Sequence, residues 1–144
     1  MKERREWLSL LATSKAQTLA SLWTETGLAP DYVMLRKAET GSVMVRGRAG
    51  SVGKAFNLGE MTVTRASLRL ADGTVGHGWC QGRNRKQAET AALIDALMQG
   101  PESARLEAAV FQPLRDAQTE QRRTRAEKAA ATKVDFFTMA RGDG

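Results

Sequence analysis

His77 and Cys80 are the only histidine and the only cysteine of this 144-residue chain, three positions apart in "GHGWCQG". Residues of these types raise two chemistries, a metal site and a thiol activated by an imidazole. Zinc takes three or four ligands of His, Cys or carboxylate type, and this stretch offers two. Residues i and i+3 of a strand point to opposite faces, so an imidazole there cannot reach the thiol either. The sequence therefore predicts Cys80 as a small buried apolar residue and His77 as a strand residue near Trp79.

"GSVGKA", from Gly50 to Ala55, invites comparison with a phosphate-binding loop. That motif needs glycine at position 48 and a hydroxyl at 55, where this chain has Arg48 and Ala55. Arg141-Gly142-Asp143 matches an adhesion tripeptide by chance, in a chain that shows no secretion signal.

A better anion site runs from Gln81 to Lys86. Gln81 and Gly82 leave a strand, Asn84 is placed to cap a helix, and Arg83, Arg85 and Lys86 surround its first turn. Unpaired N–H groups and the positive helix end attract phosphate there, and basic side chains add to the attraction. Arg65, from a neighbouring strand, joins this set of contact candidates. The alternative is a surface on which Arg85 only pairs with Glu89 at i, i+4.

The elements that must position these residues follow from periodicity. Residues 4 to 26 read as two helices, divided near Thr13, with Ser14 and Gln17 at capping-box spacing and Gly27 as a stop. Alternation then predicts about four antiparallel strands: Tyr32 to Arg36, Ser42 to Arg48, Met61 to Leu70 and Val75 to Gln81. Asp72-Gly73 marks a hairpin, and a parity change between Val63 and Ala66 predicts a bulge near Arg65. Arg65, Ser67 and Arg69 share one parity, and in the second strand Met44, Arg46 and Arg48 alternate with Val43 and Val45, so one sheet face carries either an arginine cluster or a solvated polar surface.

A helix over residues 84–99 ends at Gly100-Pro101. Its segment "AALIDALM" is apolar around most of its circumference, which predicts cover beyond one sheet face, for instance from a partner protein. Asp95 within it calls for a core arginine. After Pro101 a short helix precedes Pro113, and a polar helix leads to Val134, Phe136, Phe137, Met139 and Arg141. These five are the partner-docking candidates; the other reading folds them back on the chain's own core. The fold class is thus α+β, with an α+β core domain over 1–100 and a C-terminal helical arm with docking tail over 101–144.

The surplus of 22 Lys+Arg over 16 Asp+Glu, a formal charge of +6, favours anionic partners without choosing among them. A single cysteine allows no internal disulfide, and no segment approaches the roughly 18 apolar residues of a membrane span. The expectation is a soluble cytoplasmic protein without membrane partners.

Two resemblances concern the same segment. "QGRNRKQAETAAL" resembles the third strand and second helix of double-stranded RNA-binding domains, whose basic run grips phosphates across a groove. That covers about twenty residues, and the family's minor-groove histidine loop has no counterpart. "AETG" (Ala38 to Gly41), the stretch from Thr64 to Gln99 and the terminal "VDFFTMARGDG" resemble the PhnG family over nearly the whole chain. The helical N-terminus with Trp7 and the Asp31-Tyr32 start of the sheet agree with it. That family is the small G subunit of the bacterial carbon–phosphorus lyase core complex.

The resemblance implies work done in company. An alkylphosphonate displaces adenine from ribose C1 of ATP, giving ribose 1-phosphonate 5-triphosphate. The I subunit carries that step, with G, H and L required; a radical subunit, J, later breaks the carbon–phosphorus bond. Expected partners are therefore chiefly the I subunit, with H, J and L, and nucleic acid is the lesser alternative. No catalytic residue, no metal and no bound cofactor are expected in this chain, ATP and phosphonate being substrates of the complex.

Overall fold

The computed structural model describes the backbone of residues 4–49 and 54–142, and the side chains of residues 4–44 and 59–132. Helices α1 (Arg4–Thr13) and α2 (Ala16–Thr26) divide where the periodicity breaks. Ser14 ends α1 rather than starting α2: its Oγ donates to Leu11 O at 2.8 Å, and Lys15 is the N-cap of α2 and makes no side-chain capping bond. Gly27 closes α2 in the left-handed conformation, φ 70°, its N–H on Thr24 O.

Among the described residues the sheet has three antiparallel strands in the order β1-β2-β3, where about four were expected. β1 (Tyr32–Ala49) joins the two expected strands at 32–36 and 42–48 into one, β2 is Lys54–Leu70 and β3 is Val75–Gln81. "AETG" carries the chain straight on, with register shifts between Met34 and Arg36 and between Arg36 and Glu39. The expected bulge is thus on the other strand. Against β3, β2 runs unbroken from Val63↔Gln81 to Arg69↔Val75; the extra residues sit in β1. The Asp72-Gly73 hairpin forms as expected, with Gly73 at φ 93° and its N–H on Leu70 O at 3.0 Å.

Helix α3 (Arg85–Met98) lies directly on β3. Gly76 and Gly78 face it, and a Cβ on Gly78 would overlap Ala92 N and Ala88 O, while one on Gly76 would reach Ala96 Cβ at 2.7 Å. Glycines two apart on a strand and alanines four apart on a helix thereby bring two backbones into contact. Every residue from Thr90 to Met98 is buried. The cover comes from this chain: the sheet beneath, α1 and α2 beside, and Leu106, Val110, Phe111 and Leu114 from the C-terminal segment. No partner protein is needed to hide the helix.

α4 (Ser103–Leu106), a π turn (Glu107–Phe111) and α5 (Gln112–Gly142) form one helical path through Pro113. A proline lacks the N–H and crowds the turn before it; the π turn, with Gln112 N–H on Glu107 O, widens the helix there. The expected break at Pro113 is a widened turn instead. From Arg122 to Thr132 every residue is exposed.

Candidate functional site

Asp95 has two reasons to attract notice: it is a carboxylate and it is fully buried. Its oxygens accept from Arg4 Nε at 3.0 Å and Nη2 at 2.7 Å, from Trp7 Nε1 at 2.7 Å and from the His77 backbone N–H at 2.8 Å. The arginine expected for it exists, but it comes from α1 and is partly exposed rather than lodged in the core. All near lone pairs are spent on donors, so this carboxylate ties α1, α3 and β3 together and has no acceptor left for a substrate proton.

His77 and Cys80 occupy opposite faces, as parity required. His77 Nδ1 meets Ser67 Oγ at 2.8 Å on the exposed face, while Cys80 is buried with Sγ near Asn84 O at 3.3 Å. Burial pushes the Cys80 thiol above its ordinary range, against hydrogen bonds that favour the thiolate.

The turn from Gln81 to Lys86 is held from several sides. Gly82 needs its glycine at φ 93°. Its N–H donates to Thr62 O at 2.8 Å, and its carbonyl accepts from Thr64 Oγ1 at 2.8 Å. Asn84 caps α3 as predicted, its side chain accepting from Gln87 N at 2.9 Å. Buried Gln87 then reaches back, donating to Leu11 O and Ser14 O at the end of α1. The frame is rigid, and Arg83, Arg85 and Lys86 stand exposed on it.

Arg85 does not take Glu89: that carboxylate accepts from Tyr32 Oη at 2.6 Å. The bond, aided by burial, raises the Tyr32 pKa above its ordinary value. Among the described residues, Arg83, Arg85 and Lys86 make no ion pair. Lys86 lines two grooves toward α2, one of about 240 Å³ with Trp23, Pro30 and Tyr32, the other of about 300 Å³ with Ala16 and Gln17.

Arg65 lies elsewhere. Ala66, Leu68 and Cys80 face α3, so Arg65, opposite Trp79, is on the uncovered face with Ser67 and Arg69. The expected contact set is therefore divided by the sheet: the five positions after β3, Gly82 to Lys86, lie on one side, and Arg65 lies on the other with Gln81, the last residue of β3 and of the same parity as Trp79. Val134, Phe136, Phe137, Met139 and Arg141 lie on the backbone of α5, and their side chains fall outside the described residues, as do those of Arg46 and Arg48. Sequence reasoning missed the Gly76-Gly78 seat, for which the Gly-x-Gly and Ala-x₃-Ala spacings were the available signal, and it expected an arginine for Asp95 without finding Arg4 of α1.

The segment from Thr64 to Gln99 is thus one unit, two strands and the helix seated on them, fixed by residue types at set spacings. The model of the phosphonate metabolism protein PhnG matches residues 2–142. The chain belongs to the PhnG family. It is 45% identical over 142 residues, 98% of its own length and 90% of the relative's, to the alpha-D-ribose 1-methylphosphonate 5-triphosphate synthase subunit PhnG of Rhizobium meliloti (strain 1021). The match takes in α5 as well as the body, so the PhnG pattern includes the exposed arm. No helix among the described residues is long and apolar enough to cross a membrane.

Proposed function

We propose that this chain is an accessory and assembly subunit of a ribose 1-methylphosphonate 5-triphosphate synthase, acting in phosphonate catabolism in the cytoplasm. The carrying observation is the likeness to the Rhizobium subunit across 98% of the chain. In this reading the complex displaces adenine from ATP with an alkylphosphonate. The I subunit performs the displacement and is the chief neighbour, with H, J and L as the others. The chain itself binds no cofactor and supplies no catalytic group, a reading supported by the full engagement of Asp95 and the burial of Cys80.

The basic turn serves as the contact. Arg83, Arg85 and Lys86, exposed on a rigid frame and without an ion pair among the described residues, suit a triphosphate or an acidic partner surface. Arg65 meets its own contact on the other face of the sheet. The arm carries Phe136, Phe137 and their neighbours to a partner.

The test is reconstitution. Sister subunits given ATP, magnesium and methylphosphonate release adenine only when this chain is present; release at the full rate without it overturns the proposal. In the same assembly, replacing Arg83, Arg85 and Lys86 by alanine lowers turnover or assembly, and wild-type values for both would leave these residues as surface charge. Tight duplex RNA binding with a steep salt dependence would instead favour the nucleic-acid reading.

A further inference from the structure

β1 is an edge strand of 18 residues, and among the described residues β2 is its only neighbour in the sheet. Natural edges are blunted by bulges, charges or short length, because unpaired N–H and C=O groups invite another strand. Here irregularities bound the strand on both sides: two in its first part, beside the exposed Arg36 and Lys37, and a third between Val45 and Arg46. From Glu39 to Val45 the register against β2 is regular and unguarded, each residue pairing in turn from Arg65 to Gly59.

The hydrogen-bond pattern says which groups are free there. His77 gives its N–H to Asp95, away from β2, and Gly82 gives its N–H to Thr62. Even-numbered residues of β2 therefore bond β3, and odd-numbered ones bond β1, in the alternation of an antiparallel ladder. Arg65, Val63 and Met61 thus face Glu39, Gly41 and Val43, so Thr40, Ser42 and Met44 turn their N–H and C=O outward. The close side-chain contact of Thr40 Oγ1 with Thr64 Oγ1, 3.0 Å, fits a non-bonded pair.

Two further observations point to an occupant. β3 ends at Gln81, opposite Val63, so beyond Ser42 and Thr62 the sheet narrows to two strands, an arrangement marginal by itself in water. The exposed large apolar residues among those described, Val33, Leu35 and Met44, all lie on β1, each about half exposed. Arg36, Lys37, Arg46 and Arg48 stand against Glu39 alone between positions 36 and 48. A second copy of so basic a strand is a poor match, whereas an acidic one is complementary.

We infer that the outer edge of β1 over Glu39–Val45 accepts an extended strand from a sister subunit, a segment with apolar residues beside Met44 and acidic ones beside Arg36 and Lys37. This rests on the synthase reading for the identity of the donor. Main-chain bonds to Thr40, Ser42 and Met44 hold the added strand, and the basic flank sets its charge.

The test uses the full chain and its assembled complex. Amides of Thr40, Ser42 and Met44 exchange hydrogen rapidly in the chain alone and become protected on assembly, while Gly41 and Val43 are protected in both. Ser42→Pro removes an outward N–H that β2 does not use, as edge strands tolerate. It keeps a cooperative melt and weakens assembly about tenfold or more. Intact assembly without new protection at the even-numbered residues overturns the inference, whatever Ser42→Pro does. Self-association of the chain alone with the same protection overturns the choice of donor. Failure of the wild-type chain to join the sister subunits overturns the synthase reading, and the donor with it.

Discussion

α3 and the outer part of α5 are both alanine-rich helices, and they end up in opposite surroundings. In α3, Ala88, Ala92 and Ala96 recur every four residues and lie on Gly76 and Gly78 of β3. In α5, Ala126 and Ala129 to Ala131 are exposed. Alanine in α3 permits close backbone approach; in α5 it supports helix formation where nothing packs. Composition does not separate the two uses. The neighbouring glycines and large apolar residues do.

The sharpest way to break the contrast is to unseat α3. Gly78→Val puts a branched side chain where even a Cβ overlaps Ala92 N and Ala88 O, backbone atoms that cannot rotate away. The expected cost is about 3 kcal/mol or more. A thermal melt should drop by roughly 10 °C or lose its cooperative transition. An unchanged melt would mean that the helix does not rest on β3.

Asp95→Ala removes the polar anchor of the same helix. The Trp7 and His77 N–H groups lose their acceptor, and Arg4, already partly solvated, returns to water. The expected loss is about 2–4 kcal/mol, set by the two part-buried N–H donors left beside the core more than by the arginine. Arg4→Ala should cost less than Asp95→Ala; the reverse order would make the ion pair dominant.

At the rim of α3, Tyr32→Phe deletes the bond to Glu89, with an expected loss of about 0.5–1.5 kcal/mol. Tyr32 is the only tyrosine, so its titration can be followed directly by tyrosinate absorbance. The bond to Glu89, then burial, raises its folded pKa. Below the ordinary value near ~10 the phenol is neutral in both states, and its stabilisation is complete. Above that value the unfolded chain loses its proton first, so stability falls as pH rises through the folded value. The native chain should titrate later than the denatured one, and Tyr32→Phe should lose this part of the alkaline decline.

How much was legible follows from the range of each interaction. The helix break at Ser14, the Asp72-Gly73 turn and the Asn84 cap are written within a few residues, and each appears in the structure. The parity change near Arg65 signalled a slip in pairing, but one strand's parity cannot say which strand holds the extra residue. The Arg4–Asp95 tie spans 91 positions, beyond the reach of any local pattern. The basic turn was read correctly as a turn. Which face Arg65 would share with it depended on where α3 lands, and that is decided by glycines whose role only packing reveals.

The smallest expected effect on stability tests the other side of the contrast. From Arg122 to Thr132, α5 is held by its own helix propensity and by surface pairs such as Arg123 with Glu120 at 2.6 Å and with Glu127 at 3.8 Å, every residue of this stretch being exposed. An arm that leaves the body this way predicts that removing residues 134–144 changes the stability of the body by less than about 0.5 kcal/mol. The same deletion should prevent co-purification with the I subunit. Undisturbed assembly would end the docking role assigned to the tail. A clear fall in the melting temperature of the chain alone would mean that the tail folds back on its own core, and that α5 resembles α3 after all.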